Sequence, residues 1–259
     1  MTIEFYKYQG TGNDFVMIDN RQGNFSKNNT KLIHKLCDRR FGIGADGLIL
    51  LENDATCDFK MVYFNADGNE STMCGNGGRC LVAFAKFLGL IKTEASFMAI
   101  DGMHTAHIKD DEVRLQMTHV DAIRSHEDYT VLDTGSPHYV TKVEDVATIN
   151  IDKEGAAIRY SDAFKGDGIN VNFVTKLSSD TFKVRTYERG VEGETLSCGT
   201  GVTAVALAMH YIGETEKNLV KLEVEGGRLE VAFTKNGQGY ADVWLIGKAK
   251  QVFKGQISW

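Results

Sequence analysis

The chain is nearly without proline. It has a single one, Pro137, in 259 residues, against a usual share of about 5%. Sharp backbone geometry must come instead from its 27 glycines, which reach positive φ and let a ligand approach the backbone closely. Long apolar runs are missing as well. The longest helical one, Val202 to Met209, falls far short of the roughly 18 residues that suggest a membrane span. The opening Met1-Thr2-Ile3-Glu4-Phe5 lacks the apolar core of a signal peptide. Basic charge is not in excess: Lys+Arg number 29 against 35 Asp+Glu, a net charge of −6, which argues against a nucleic-acid partner. Five cysteines, an odd number, stand in no disulfide or zinc spacing, so a reducing and hence cytoplasmic setting is expected, without a metal. What remains is an ordinary folded composition, 42% hydrophobic and 25% charged, with core enough for one large domain or two of common size.

Alternating apolar residues predict many short strands: Ile3–Tyr8, Phe15–Asp19, Leu48–Glu52, Phe59–Asn65, Asn170–Lys176, Phe182–Glu188, Leu219–Glu225, Leu229–Phe233 and Tyr240–Leu245. Helical spacing is rarer. A short helix is expected after Thr30, from Leu32, Ile33, Leu36 and Cys37. Two longer ones carry Leu81, Phe84, Ala85, Leu88 and Val202, Val205, Ala206, Met209 at i, i+3, i+4, i+7. Both are apolar on more than one face, which predicts burial. Many strands around few buried helices define an α+β chain.

The two longer helices open alike, with Met73-Cys74-Gly75-Asn76-Gly77-Gly78 and Ser197-Cys198-Gly199-Thr200-Gly201-Val202. Each Cys-Gly-x-Gly follows a strand and a loop with a glutamate four residues upstream, Glu70 or Glu194. The cysteines lie about half the chain apart, so an internal duplication is expected, with one cysteine at a helix N-terminus in each half. The least patterned stretch, Thr118–Thr130, is the expected crossing point.

Gly42-Ile43-Gly44-Ala45-Asp46-Gly47 matches G-x-G-x-x-G, but the dinucleotide motif needs a strand before it and a helix after. The expected order here is the reverse, so that reading fails. The cysteine loops carry more. A helix N-terminus lowers a thiol's pKa, and the following glycines leave backbone N–H groups open to a carboxylate. Two such sites suit removal of a proton from one face of a carbon and delivery to the other. Cys37, Cys57 and Cys80 are read as structural, since buried cysteine is commonly inert. The repeated context sets Cys74 and Cys198 apart.

Gln9-Gly10-Thr11-Gly12-Asn13-Asp14-Phe15, Phe64-Asn65-Ala66-Asp67-Gly68, Cys74-Gly75-Asn76-Gly77-Gly78-Arg79 and Tyr187-Glu188-Arg189-Gly190 through Cys198-Gly199-Thr200-Gly201 together resemble the diaminopimelate epimerases, over nearly the whole chain. The resemblance implies two pseudo-symmetric α+β halves, 1–118 and 119–259, each a curved, barrel-like mixed sheet around a central helix. The site would lie in the cleft between them, and the last strand is able to pair back with the first half. It implies a cofactor-independent enzyme, typically a homodimer, that interconverts LL- and meso-2,6-diaminopimelate for lysine biosynthesis. By motif match Cys74 and Cys198 are the acid–base pair, with Gly75, Asn76, Gly199 and Thr200 cradling the reacting end. Asn13, Asn65, Asn170, Glu188 and Arg189 match substrate positions, the Arg189 guanidinium being shaped for a distal carboxylate. His138 and Glu188 match residues that tune the thiols.

Two positions depart from the family pattern. Ser136 stands where many relatives have asparagine, and Gly47 where some carry a substrate-contacting glutamine. Three other readings stay open: a proline or hydroxyproline epimerase, a PhzF-like isomerase of the same fold, and a non-catalytic binder of amino acids or small anions.

Overall fold

The computed structural model describes residues 2–258. The chain forms two compact units, Met1–Leu115 with Gly247–Trp259, and Gln116–Ile246. In chain order the first holds β1 (Thr2–Gly10), β2 (Asn13–Asp19), α1 (Thr30–Cys37), β3 (Gly47–Glu52), β4 (Phe59–Asn65), β5 (Glu70–Ser71), α2 (Gly75–Phe87), β6 (Glu94–Ala99), β7 (Gly102–Lys109) and β8 (Glu112–Gln116). The second holds β9 (Ile123–Ser125), β10 (Tyr129–Asp133), β11 (Pro137–Lys142), a 3₁₀ turn (Val146–Thr148) and α3 (Ile151–Arg159). It continues with β12 (Asn170–Lys176), β13 (Thr181–Glu188), β14 (Gly193–Thr195), α4 (Gly199–Tyr211), β15 (Leu219–Val224), β16 (Gly227–Asn236) and β17 (Gly239–Lys248). The final strand, β18 (Lys250–Ser258), returns to the first unit and pairs antiparallel with β1.

Strand pairing makes the duplication explicit. In the first unit β1 and β2 pair antiparallel, β2 and β3 parallel, β3 and β4 antiparallel, β4 and β6 parallel, then β6 with β7 and β7 with β8 antiparallel. The second unit repeats this sense for sense from β10–β11 through β11–β12, β12–β13 and β13–β15 to β15–β16 and β16–β17. The short β5 and β14 sit at equivalent places on β4 and β13. The architecture is α+β, a mixed sheet around one central helix in each unit.

Those central helices are α2 and α4. α2 packs against β1, β2, β3, β4, β7 and β18; α4 packs against β10, β11, β12, β13, β15 and β16. Each lies at the centre of its sheet, and neither has a wet face along most of its length, as their all-round apolar character requires. The shorter helices cover the opposite sheet faces. In the first unit Ile33, Leu36 and Cys37 of α1 join Val16, Ile18, Leu48, Leu50, Val62 and Phe64 in one cluster. Strand β3 is therefore buried on both sides, which explains its unbroken Leu48-Ile49-Leu50-Leu51 run. In the second unit Ile151 of α3 packs with Val131, Val171, Phe173 and Tyr187.

All nine expected strands and three expected helices are present, but the pattern reading left out α3 and several strands. α3 buries only Ile151 and Gly155, too little for helical spacing to show. Its signals are an Asn150 cap that accepts from the Lys153 N–H and the acids Asp152 and Glu154 in its first turn. The stretch expected to be an unpatterned crossing holds β9 and the start of β10. The G-x-G-x-x-G loop lies between α1 and β3, the order that excludes a dinucleotide fold.

Candidate active site

Each unit presents one cysteine at the N-cap of its central helix. In the first, Cys74 is extended (φ −102°, ψ 143°) before α2, and its Sγ accepts the Gly77 N–H at 3.1 Å. In the second, Cys198 is likewise extended (φ −114°, ψ 113°) before α4. Its Sγ lies 3.4 Å from Thr200 Oγ1. Glycine is required at the third helical residue in both. A Cβ at position 77 would lie 3.1 Å from Cys74 Sγ, and one at 201 would lie 3.3 Å from Cys198 Sγ. The Cys74 thiol thus caps its helix through a first-turn amide, whereas Cys198 stands at the N-cap without a side-chain cap hydrogen bond; at both places the helix dipole favours negative charge. At buried Cys37, burial pushes the thiol up to about 12. Cys80, wholly buried, is raised further still by burial.

Around Cys74 the structure gathers Asn13, at the head of β2, with Gly75 and Asn76 of α2. Asn76 is almost wholly buried; its Nδ2 donates to Asn13 Oδ1. Arg79, fully buried, donates to Asn76 Oδ1 at 2.9 Å, Thr11 Oγ1 at 2.8 Å and the Gly75 carbonyl at 3.2 Å. Asn65, exposed at the end of β4, opens the turn closed by the Gly68 N–H on its carbonyl at 2.9 Å. It sits beside Gly47 in the β3–β4 register. Gly47 leaves no room for the glutamine of some relatives: a Cβ there would meet the Phe64 carbonyl at 2.5 Å and the Tyr63 ring at 2.6 Å.

Around Cys198 the arrangement is a chain of hydroxyls. Asn172 Nδ2 donates to the Tyr139 carbonyl at 2.9 Å, which fixes the sense of its amide, and lies 3.1 Å from His138 Nδ1. Nδ1 therefore accepts, and the imidazole carries its proton on Nε2. Burial, helped by the positive charge of Arg189, pulls His138 down to about 3, so the ring is neutral. Nε2 lies 3.0 Å from Ser136 Oγ, which donates to Thr200 Oγ1 at 3.2 Å. Thr200 in turn is left to donate toward Cys198. The serine that replaces asparagine at 136 is thus the link between His138 and the helix N-terminus.

Asn170, at the head of β12, is buried and fully used. Its Nδ2 donates to Ser136 Oγ at 3.2 Å and the Pro137 carbonyl at 3.1 Å, while Oδ1 accepts the Arg189 N–H at 2.9 Å. It braces Ser136 and Arg189. The Arg189 side chain is exposed, held by one hydrogen bond from Nη1 to the Asp167 carbonyl at 2.8 Å. Glu188 accepts from Thr195 Oγ1 at 3.0 Å. Gly199 starts α4 and takes the Thr203 hydroxyl on its carbonyl. Arg79 and Asn172 were not singled out from sequence. Arg79 carries a visible signal, a charge set inside the apolar stretch of a helix whose other cation, Lys86, lies in the last turn, whereas Asn172 has none beyond its place in a strand. Among the described residues no cluster of three or more metal-ligating side chains occurs, and no helix is long and apolar enough to cross a membrane.

A thiol at the N-terminus of a buried helix with amide donors nearby suits proton transfer at a carbon next to a carboxylate, and each unit supplies one. Solved structures share the fold: a phenazine biosynthesis protein of the PhzF family from Bacillus anthracis (TM-score 0.78, 13% identity, all of both chains). So does a hydroxyproline epimerase from Agrobacterium vitis solved with trans-4-hydroxy-L-proline (TM-score 0.68, 15% identity, 99% of this chain and 92% of that one). These likenesses define the class of fold, a duplicated α+β architecture. The diaminopimelate epimerase family model matches residues 5–123 and 130–252. A diaminopimelate epimerase of Flavobacterium psychrophilum is 56% identical over 98% of this chain and 100% of its own length. The chain belongs to the diaminopimelate epimerase family.

Proposed function

We propose that the chain interconverts LL- and meso-2,6-diaminopimelate without an organic cofactor, as a step of lysine biosynthesis, and that it works as a cytoplasmic homodimer. The observation that supports this reading most is the matched pair of N-cap thiols, each seated on the third-residue glycine of a buried helix. The α-proton of an amino acid is weakly acidic, so the base must be a thiolate and the developing carbanion needs preorganised positive potential. One cysteine, as thiolate, takes the α-proton from one face. The electron pair left on Cα is spread onto the α-carboxylate, whose oxygens rest on the first-turn amides of Gly75, Asn76, Gly199 and Thr200. The other cysteine, as thiol, returns a proton to the opposite face, and the roles exchange in the reverse reaction.

His138 bears on Cys198 through Ser136 and Thr200. Its Nδ1 is already occupied by an amide N–H, so it acts as a donor in the chain and not as the base that receives the thiol's proton. Glu188 shares the tuning role. Arg189 takes the distal carboxylate with the guanidinium edge left by its single backbone contact, and Asn13, Asn65 and Asn170 orient the rest of the ligand, the last through Ser136 and Arg189. Substituting Cys74→Ser or Cys198→Ser tests the pair: each variant loses nearly all turnover with LL-diaminopimelate while remaining folded. A variant that kept wild-type turnover would remove that cysteine from the mechanism.

A further inference from the structure

The G-x-G-x-x-G loop, which carries no nucleotide motif, places one side chain of consequence. Asp46, the residue before β3, accepts from Asn13 Nδ2 at 3.0 Å and from the Asp14 N–H at 3.2 Å, both on Oδ2. Its Oδ1 is paired with Arg39 at 2.7 Å. Arg39 also forks onto Asp14, at 3.0 and 2.8 Å, and Asp14 pairs with buried Lys7 at 2.8 Å. Although burial opposes its ionisation, the bonds from Arg39 and Lys7 hold the Asp14 carboxyl well below the usual carboxylate range. The Asp46 end of this network is therefore anchored by fixed charge.

At the other end stands Arg79, with no carboxylate in ion-pair reach among the described residues; its partners are Gly75 O, Thr11 Oγ1 and Asn76 Oδ1. A buried guanidinium without a counterion is costly and needs a reason. Burial pulls it down to about 10, so it stays charged at neutral pH. Gly10 lets the first turn of α2 close over it: a Cβ there would lie 3.1 Å from the Asn76 carbonyl and 3.2 Å from Cys80 Sγ.

Between these ends run two side-chain amides in series, Arg79 to Asn76 to Asn13 to Asp46. An isolated asparagine can present either edge to a neighbour, since carboxamide nitrogen and oxygen have nearly the same shape. Here neither can turn. A guanidinium only donates, so Asn76 must face it with Oδ1 and offer Nδ2 to Asn13. A carboxylate only accepts, so Asn13 must face Asp46 with Nδ2 and receive Asn76 on Oδ1. Reversing either amide would set like groups against each other at both of its contacts.

We propose that Arg79 and Asp46 are positioning residues that lock the sense of the Asn76 and Asn13 amides, so that Asn13 keeps one N–H on a fixed edge for an anionic oxygen of the ligand. A reversed Asn13 would offer its carbonyl oxygen there and repel a carboxylate. The assignment of Asn13 to the ligand rests on the proposed epimerase reading; the lock itself does not.

The test uses Asp46→Asn, whose amide can donate as well as accept, and Asp46→Glu, which again only accepts. The Asp46 side chain is 39% exposed, so both variants are expected to fold. ¹⁵N side-chain spectra of the whole chain report hydrogen exchange of the Asn13 and Asn76 Nδ2 groups. Asp46→Asn should speed exchange at both, including Asn76, which Asp46 does not touch, and Asp46→Glu should restore protection. In turnover of LL-diaminopimelate, Asp46→Asn should raise KM about tenfold with kcat changed far less, the signature of lost ground-state positioning. Unchanged protection at Asn76 in Asp46→Asn would overturn the lock whatever the enzyme's activity. Loss of kcat with KM intact would overturn its role toward the ligand. If wild type shows no turnover, the epimerase reading fails and the exchange result still decides the lock. Arg79→Lys, a pure donor, should keep both amides protected, and Arg79→Gln should not.

Discussion

Adding one methyl group at the third residue of each central helix separates the two sites sharply. In an ordinary helix interior Gly→Ala is worth about 1 kcal/mol of added stability. At position 201 that gain is outweighed. The new Cβ would stand 2.6 Å from Asn172 Oδ1, and Asn172 cannot yield: Thr186 Oγ1 holds Oδ1 at 3.0 Å, while Nδ2 is committed to the Tyr139 carbonyl and His138. Overpacking costs about 1–3 kcal/mol, and disrupting one buried hydrogen bond costs about as much again. Gly201→Ala should therefore destabilise the protein by roughly 1–5 kcal/mol net, combining those ranges with the helix gain. At position 77 the nearest atoms are Ile49 Cδ1 at 3.0 Å, Cys74 Sγ at 3.1 Å and Met61 Cε at 3.4 Å. All are ends of side chains, and two are apolar and able to shift. Gly77→Ala should leave stability within about 1 kcal/mol, because the propensity gain offsets mild crowding. Its cost falls on Cys74, whose sulfur must back away from the helix N-terminus. Misplacement of a reacting group by about 1 Å can cost on the order of 10²-fold in rate; the smaller shift that a Cβ at 3.1 Å forces on the sulfur should make Gly77→Ala a stable protein with turnover reduced severalfold. Chemical denaturation and turnover measured on both variants check this. A fully active Gly77→Ala protein, or a Gly201→Ala protein as stable as wild type, would refute the seating of the thiols described here.

Two further outcomes are expected. Ser136→Ala removes the acceptor of His138 Nε2–H and the donor to Thr200; it should lower unfolding free energy by about 1–3 kcal/mol, the usual penalty for a buried orphan donor, and reduce kcat, both unchanged if the hydroxyl chain is idle. The neutral His138 also sets an acid limit. Its folded pKa of about 3 lies below its ordinary value of 6.5, so the stability it contributes is complete above pH 6.5 and drains away as pH falls toward 3. Linkage gives a loss of about 2 kcal/mol between pH 7 and pH 5. Denaturant unfolding at the two pH values should show that loss in wild type and a smaller one in His138→Gln; equal losses would contradict it.

Much of this was legible in the residues. β4 and β12 fall at Phe59–Asn65 and Asn170–Lys176, as the alternation indicates, because each begins and ends at a turn. The twin Cys-Gly-x-Gly loops announced both the duplication and the helix caps. What escaped did so for physical reasons. β18 has most of its residues exposed, so no burial pattern marks it, and it is held by its backbone pairing with β1. The site's second layer was hidden because it is relational. Nothing in the local sequence of Asp46 says that its partner is Asn13, and nothing at Asn172 says that it sets the tautomer of His138. The serine at 136 read as a loss of a family asparagine; only the geometry shows it taking up the hydrogen bonds of His138, Asn170 and Thr200.

The central claim is that two thiols move a proton across one carbon without help from a cofactor. Incubating the reduced protein with LL-diaminopimelate in D2O, with no cofactor added, and following the α-position by NMR tests it directly. Loss of the α-proton signal, deuterium at that carbon and growth of the meso isomer are expected. L-proline, offered under the same conditions, should exchange nothing. Exchange with proline alone would keep the thiol chemistry and replace the substrate. No exchange with diaminopimelate, in protein whose thiols are shown to be reduced, would rule out proton transfer by the two cysteines.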